Sequence, residues 1–234
     1  MERTASIISP ASSGTSELDE DILTAIEANI IGAVNVFAAC VENGVPTVFH
    51  ASKPNVWLNT YTITKHAAEQ FAELYNTLGN TRICSLRYFN AYGPYQATGP
   101  VRKIIPSFAL QAMRHEPIEV YGSGEQIVDM ILAEDIGRIT VNFATKGRSR
   151  SAFDLGRGIG LTVNSIARDV NSYFGSKAGV RHLPMRRGET PETTLIADIA
   201  PLEQEIGALT FADWETSLGS TLQWYADRAL VQAA

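Results

Sequence analysis

The chain has 234 residues but only two cysteines, Cys40 and Cys84. Two cysteines make no disulfide framework and fit a reducing compartment, so the expected setting is the cytoplasm. The N-terminus lacks the long apolar stretch of a signal peptide. No uninterrupted run approaches the roughly 20 apolar residues that cross a bilayer, and the sequence therefore predicts no membrane span.

Other shortages exclude whole classes of function. Lysine and arginine number 19 against 25 acidic residues, and the net charge of -6 argues against a general nucleic-acid binder. The sequence has no G-x-S-x-G turn and no recognisable Ser/His/Asp order, which excludes the usual nucleophilic hydrolases. The four histidines are scattered without the spacing of metal ligands, so no metal site is predicted; they are His50, His66, His115 and His182.

What the sequence does contain is a globular pattern, with 45% hydrophobic residues. In the first half, short β-rich runs alternate with amphipathic helices, predicted over 18–42 and 61–78. This alternation is typical of parallel strands joined by helical crossovers. The elements after residue 95 are shorter and indicate a smaller lobe interleaved with the sheet.

The first candidate for chemistry is Tyr61, which is followed four residues later by Lys65 at the start of a predicted helix. Residues four apart share a helix face. An ammonium near a phenol lowers the phenol's pKa, and the helix N-terminus acts in the same direction. A tyrosine tuned in this way exchanges protons with a substrate hydroxyl or carbonyl. The same spacing also occurs in ordinary surface pairs.

Several segments together carry a family resemblance. Their order in the chain matches extended short-chain dehydrogenases/reductases, and most closely the nucleotide-sugar epimerases and dehydratases. The segments are N-I-I-G-A-V-N-V (29–36), Y-T-I-T-K (61–65), L-R-Y-F-N-A-Y-G-P (86–94), Y-G-S-G-E-Q-I-V-D (121–129), R-R-G-E (186–189) and the helix with Trp224 and Tyr225.

The resemblance implies an α/β fold, an NAD cofactor and a nucleotide-sugar substrate. It implies acid-base catalysis by Tyr61, assisted by Lys65, beside the nicotinamide. It also implies that Asn90 contacts the sugar nucleotide and that the second lobe binds the phosphates and base; the candidates there are Asp129, Arg186, Arg187 and Glu189. A structural alternative stays open for these residues: Asn90 shapes a turn, Asp129 caps a local backbone group, and the arginines are surface charges.

The cofactor-binding part departs from the family pattern. A glycine-rich turn after the first strand normally binds the pyrophosphate. No G-x-x-G-x-x-G follows any predicted strand, and Gly156–Gly160 is interpreted as a loop. Residues 6–11 resemble the family's fourth strand, so the first three strands are missing. We therefore expect a truncated Rossmann-like sheet in 1–95, a smaller α/β substrate lobe in 96–234, an unknown cofactor-binding set, and weak NAD binding or none.

Two further departures lie near the predicted reaction centre. Lys53 occupies the place of the family's hydrogen-bonding serine or threonine, and Ser52 is next to it. Neighbouring strand residues point to opposite faces, so only one of the two can replace that hydroxyl. Val128 stands where the family has a phosphate-binding arginine, and an apolar side chain cannot recognise phosphate.

Loss of the first strands leaves a normally central strand at the sheet edge, where it invites pairing with another chain. A homodimer or higher homo-oligomer is therefore expected, with no nucleic-acid or membrane partner. Three interpretations remain: an enzyme that keeps tyrosine chemistry on a substrate that needs only proton transfer; a non-catalytic binding or regulatory module; or an incomplete reading frame.

Overall fold

The computed structural model describes residues 4–7, 21–54, 57–99, 101–186 and 188–233. Arg187, one of the predicted phosphate contacts, lies outside the described residues. So does the predicted helix start at Ser16 to Asp19.

Within these described ranges the strands form three sheets. In chain order they are β1 (Thr4–Ile7), β2 (Thr47–Ser52), β3 (Arg82–Tyr88), β4 (Asn90–Tyr92), β5 (Ile118–Tyr121), β6 (Ile127–Leu132), β7 (Ala152–Leu155), β8 (Gly160–Thr162), β9 (Val180–Leu183) and β10 (Thr194–Leu195). The main sheet is parallel with the order β1-β2-β3-β7. The second has the order β10-β6-β4, with β8 antiparallel to β6, and β5 pairs with β9.

Helices cover both faces of the main sheet. They are α1 (Ile22–Ile26), a π-helical segment (Glu27–Ile31), α2 (Gly32–Glu42), α3 (Thr60–Leu78), α4 (Ile104–Met113), α5 (Ala133–Lys146), α6 (Val163–Tyr173), α7 (Ala200–Ile206) and α8 (Trp214–Ala233). On one face Phe37 of α2 and Ala68 of α3 pack with Val48 of β2. On the other, Phe143 of α5 and Leu202 of α7 complete the core. This is the layered arrangement of an α/β fold.

The second lobe has its own apolar core. Residues of α4, α6 and α8 pack against the β4-β6 and β5 strands there, for example Phe108, Ile166 and Leu222. Val128 of β6 is 9% exposed and belongs to this core, so it is a packing residue. The later part of the chain also contributes β7 to the main sheet, where Phe153 is paired in register with Leu86.

β1 lies at the edge of the main sheet. Within the described part of the chain it pairs only with β2, in parallel register from Thr4 opposite Thr47 to Ile7 opposite His50. An edge strand presents unpaired backbone groups on its outer side. The sheet therefore has an open side next to β1.

The helical stretch Ile22–Glu42 has a mean hydropathy of 1.7 over an 18-residue window and is long and apolar enough to cross a membrane, by length and composition. A helix that packs into a protein core passes the same test, so the absence of a membrane span stays a prediction. Phe37 and Cys40 of this stretch pack into the core beneath it.

Candidate functional site

Tyr61 lies in the first turn of α3, close to the carboxyl end of β2. Asn59 caps this helix, because its Oδ1 accepts a hydrogen bond of 2.8 Å from the backbone N–H of Thr62. Tyr61 is half-buried, and burial raises its pKa. The expectation of a lowered pKa is therefore wrong: loss of water around the phenol outweighs the nearby positive charges. At neutral pH Tyr61 is a phenol and a proton donor.

Lys65 is on the same helix but is directed into the sheet. It is 3% exposed, and its Nζ donates a hydrogen bond of 2.5 Å to the backbone carbonyl of Ala51 in β2. Burial lowers the pKa of Lys65 to about 8, against the opposing effect of the Glu69 carboxylate. Lys65 thus ties the first turns of α3 to the end of β2, beside Tyr61.

Lys53 is the amine that contacts the tyrosine ring. Its Nζ lies 5.4 Å from the ring centroid of Tyr61 and 5.5 Å from that of Trp57. It donates hydrogen bonds of 2.6 Å to Thr62 Oγ1 and 2.9 Å to the carbonyl of Pro54. Burial lowers the pKa of Lys53 to about 8. The residue at the family's serine position therefore supplies an amine to the site.

Ser52, the other candidate on this strand, is buried at the end of β2. It is 5% exposed, and its Oγ has no hydrogen-bond partner among the described residues. The structure thus separates the two neighbours: Lys53 reaches the tyrosine ring, whereas the hydroxyl of Ser52 is enclosed in the protein.

A layer of buried polar groups supports these residues from below. His50 of β2 is fully buried, with Nδ1 3.2 Å from Ser85 Oγ. Burial, with a smaller effect of the Lys65 charge, lowers the pKa of His50 to about 3. Nearby, the guanidinium of Arg87 bonds both carboxylate oxygens of Glu69 through Nε, at 3.0 Å each. Sequence reasoning missed this layer, because spacing along the chain does not show which buried polar groups pair.

Asp129 is placed inside the protein. It is fully buried, and its carboxylate accepts hydrogen bonds from the backbone N–H groups of Arg157 (2.8 Å), Gly158 (2.8 Å) and Ala197 (3.1 Å). Gly156 is needed for this approach, since a Cβ there would lie 2.4 Å from Asp129 Oδ2. This geometry supports the backbone-capping interpretation of Asp129.

Asn90 and Arg186 have partners within the protein. Asn90 Nδ2 donates to the carbonyl of Asp129 at 3.3 Å. Arg186 bonds Glu189 at 2.8 Å, and its guanidinium lies 4.8 Å from the ring centroid of Tyr121. Burial of Glu189 raises its pKa, although the Arg186 charge opposes this. Arg186 and Glu189 thus form a pair on the ring of Tyr121 in the second lobe.

The segment around Gly188 to Thr193 adjoins the tyrosine site. Asn59 Nδ2 donates to the carbonyl of Gly188 at 3.2 Å, and Trp57 Nε1 donates to Thr193 Oγ1 at 3.4 Å. The sequence analysis did not anticipate either contact. Tyr61 and Lys53 therefore lie where the end of β2 meets this later segment.

The glycine-rich segment Gly156–Gly160 does not offer free amides to the pyrophosphate of NAD. The backbone N–H groups of Arg157 and Gly158 already bond the carboxylate of Asp129, so these two donors are occupied by a protein group. In the described ranges, no group of three or more His, Cys, Asp or Glu side chains could hold a metal ion either.

The fold is shared with known enzymes. The structure matches the UDP-glucose 4-epimerase of Thermotoga maritima, solved with UDP-glucose, with a TM-score of 0.90 and 20% identity, over 97% of this chain and 78% of that one. It also matches a dTDP-glucose 4,6-dehydratase of Streptomyces venezuelae, solved with NAD, with a TM-score of 0.85 and 20% identity, over 97% of this chain and 74% of that one. The predicted α/β Rossmann-like fold class is confirmed.

Sequence relatives agree. The chain is 25% identical over 216 residues to the UDP-glucuronate 4-epimerase of Thermodesulfobacterium geofontis, which covers 85% of this chain and 65% of that protein. Among the curated relatives compared, the chain spans between 24% and 66% of their length. The profile of the "NAD dependent epimerase/dehydratase family" matches residues 4–156. With more than half of its length matched, the chain belongs to this family, whose relatives act on nucleotide sugars.

Proposed function

We propose that this chain is an epimerase or dehydratase of nucleotide sugars in which Tyr61 exchanges a proton with a hydroxyl or carbonyl oxygen of the substrate. The observation that supports this proposal is the position of the Lys53 amine, whose Nζ lies 5.4 Å from the Tyr61 ring centroid at the end of β2. A phenol and an amine with a pKa near 8, side by side, form a donor and an acceptor for protons near neutral pH.

The reaction that these residues support is enolisation of a keto sugar. Tyr61 donates its hydroxyl proton to the carbonyl oxygen, while the neutral amine of Lys53 takes the proton from the adjacent carbon. Water then gives a proton to the opposite face of that carbon, the enol hydroxyl returns its proton to Tyr61, and the Lys53 ammonium gives its proton to the hydroxide left behind, so the configuration is inverted. In a dehydration the hydroxyl on the next carbon instead takes the proton from the Lys53 ammonium and leaves as water, while the enol hydroxyl returns its proton to Tyr61. No step requires a redox cofactor, in keeping with the expectation of weak NAD binding or none.

The remaining residues would serve as supports. Lys65 positions α3 against β2 and keeps positive charge near Tyr61, while Ser52 stays enclosed. Asn90 and the pair Arg186 and Glu189 are proposed to contact the nucleotide sugar. The division into a core in 1–95 and a substrate lobe in 96–234, a cytoplasmic setting and self-association also belong to this proposal.

The alternative is a non-catalytic binding or regulatory module. Two observations favour it: Val128 is a core residue in place of a phosphate-binding arginine, and Asp129 occupies the amides of Arg157 and Gly158. Such a module would keep the fold and bind its ligand without turning it over.

Proton exchange in deuterated water separates the two. The probe is UDP-4-keto-6-deoxy-D-glucose, the keto sugar on which the 3,5-epimerase activity of a trifunctional Arabidopsis thaliana relative acts. NMR should show the enzyme placing deuterium on the carbons beside the carbonyl. Tyr61→Phe should slow this by about 100-fold or more, because general acid catalysis contributes factors of that size. Tyr75→Phe, on the same helix, is the matched control.

The pH dependence tests the role of Lys53. The rate should rise as the amine loses its proton, with a midpoint near pH 8. Lys53→Met should abolish this rise. If the probe binds but exchanges no faster than in buffer, or if Tyr61→Phe exchanges as fast as the wild type, the catalytic proposal fails and the binding module stands.

A further inference from the structure

A cleft of about 430 Å³ lies in the second lobe, between the end of α6, the following turn and β9. Its wall includes Arg168, Asn171, Ser176, Lys177, Gly179 and His182. None of these belongs to the elements that hold Tyr61. A volume of this size is ordinary for a small-molecule site.

The charge of the cleft is opposite to that of the chain. The protein carries 25 acidic against 19 basic residues, yet none of the described residues that line the cleft is Asp or Glu. In the described part of the chain, Arg168 and Lys177 make no recorded ion pair or hydrogen bond with protein groups. Two uncommitted cations in one concave wall attract an anion, and a guanidinium is well suited to the oxygens of a phosphate.

The floor of the cleft is preformed. Asn171 Nδ2 donates to the carbonyl of Gly179 at 3.1 Å, and the backbone N–H of Ser176 donates to the carbonyl of Asn171 at 2.9 Å. Gly175 and Gly179 have φ values of 63° and 75°, which favour glycine and let the turn close on the helix. The turn that carries Lys177 is thus held in place by protein hydrogen bonds.

One polar atom in this floor lacks a partner. Asn171 is 9% exposed, and its Oδ1 has no hydrogen-bond donor in the described structure. This oxygen is enclosed by protein atoms, so it belongs to the floor and does not reach a ligand. His182 supplies the polar contact that a ligand can reach: its Nδ1 lies 2.9 Å from the carbonyl of Gly122, which must accept, so Nε2 is the nitrogen left to accept from a ligand hydroxyl.

We propose that this cleft binds a phosphorylated sugar, with its phosphate between Arg168 and Lys177 and a hydroxyl on His182 Nε2. The site is separate from the proposed catalytic centre at Tyr61 and does not depend on it. It gives the molecule a second place to sense a sugar phosphate.

Calorimetry on the full chain tests the site, with glucose 1-phosphate, inorganic phosphate and glucose as probes. Glucose 1-phosphate should bind more tightly than inorganic phosphate, and glucose alone should not bind. The double variant Arg168→Gln/Lys177→Gln should lower the affinity for glucose 1-phosphate by about tenfold or more, because charge-assisted hydrogen bonds are lost. His182→Ala should reduce the affinity for glucose 1-phosphate to that for phosphate.

The matched control is Lys146→Gln/Arg148→Gln, which removes the same charge from an exposed basic cluster elsewhere and should leave binding unchanged. An equal loss of glucose 1-phosphate affinity in both double variants would show that the ligand is attracted to the overall charge of the protein, and it would overturn the proposed site. The proposal would also fail if no phosphate-dependent binding were detected. It would fail likewise if Tyr61→Phe abolished the binding of glucose 1-phosphate and the cleft variant left it unchanged.

Discussion

At the residue scale, burial sets the proton affinities of the site. It raises the pKa of Tyr61 and lowers those of Lys53 and Lys65 to about 8. The pattern Tyr61-x-x-x-Lys65 predicted the opposite direction for the phenol, since spacing shows only that two side chains share a helix face. It does not show that Lys65 bonds Ala51, or that Lys53 fills the space beside the ring.

The buried His50 makes stability depend on pH. Its pKa is about 3 in the folded chain against 6.5 when exposed, so the unfolded chain binds the proton more tightly. This contribution is complete above pH 6.5 and is lost as pH falls towards 3. Between pH 7 and pH 5 the loss should be about 2 kcal/mol, measured by urea unfolding.

His50→Gln should flatten this part of the pH profile, whereas replacement of the exposed His115 by Asn should not. An unchanged slope in His50→Gln would mean that the histidine is not held in its neutral form.

At the element scale, the N-terminus of α3 positions Tyr61. Asn59 caps the helix through Oδ1 and bonds Gly188 through Nδ2. Asn59→Ala should lower the free energy of unfolding by about 1 kcal/mol, as loss of a helix cap usually does, and should also reduce activity. Thermal unfolding measures the first effect.

Asn59→Asp is the informative companion, because a carboxylate keeps the cap and loses the N–H donor to Gly188. Its stability should stay near that of the wild type while its activity falls. Equal stability of Asn59→Ala and the wild type would contradict the capping role.

Elements with strong patterns were predictable from sequence. The helix predicted over 61–78 is observed as Thr60–Leu78, because its apolar residues recur at helical spacing and Gly79 follows its last residue. The strands β4, β8 and β10 have only two or three residues, too few to show a period. Their pairing depends on segments that are distant in the sequence. The burial of Asp129 in β6 depends on such distant segments as well, because its hydrogen-bond donors are Arg157, Gly158 and Ala197.

At the scale of the whole molecule, one surface is unusually apolar. On α3, Ile63, Phe71, Leu74 and Leu78 recur at helical spacing and are 38% to 68% exposed, and Leu23 of α1 is 74% exposed. A large exposed apolar stripe indicates a protein interface. It lies on α1 and α3 and would suit the homodimer that the sequence analysis expects.

We expect a dimer at micromolar concentration by light scattering. Leu74→Glu should convert it to a monomer, because a carboxylate would be buried without a partner in the interface. Val141→Glu on α5, where the side chain is 64% exposed, is the control and should stay dimeric. A wild-type chain that is already a single monomeric species would refute self-association.

The π-helical segment Glu27–Ile31 bears on how insertions and deletions act in this part of the chain. Its hydrogen bonds run from i to i+5 where those of an α-helix run from i to i+4, and it places Asn29 where its Nδ2 donates to Thr64 Oγ1 at 3.1 Å. Five residues at this wider winding rotate the chain about as far as four residues of an α-helix, so deleting one residue here would restore regular winding without turning α1 relative to α2. A one-residue gap at this point of an alignment would therefore leave the same side chains of α1 facing α3.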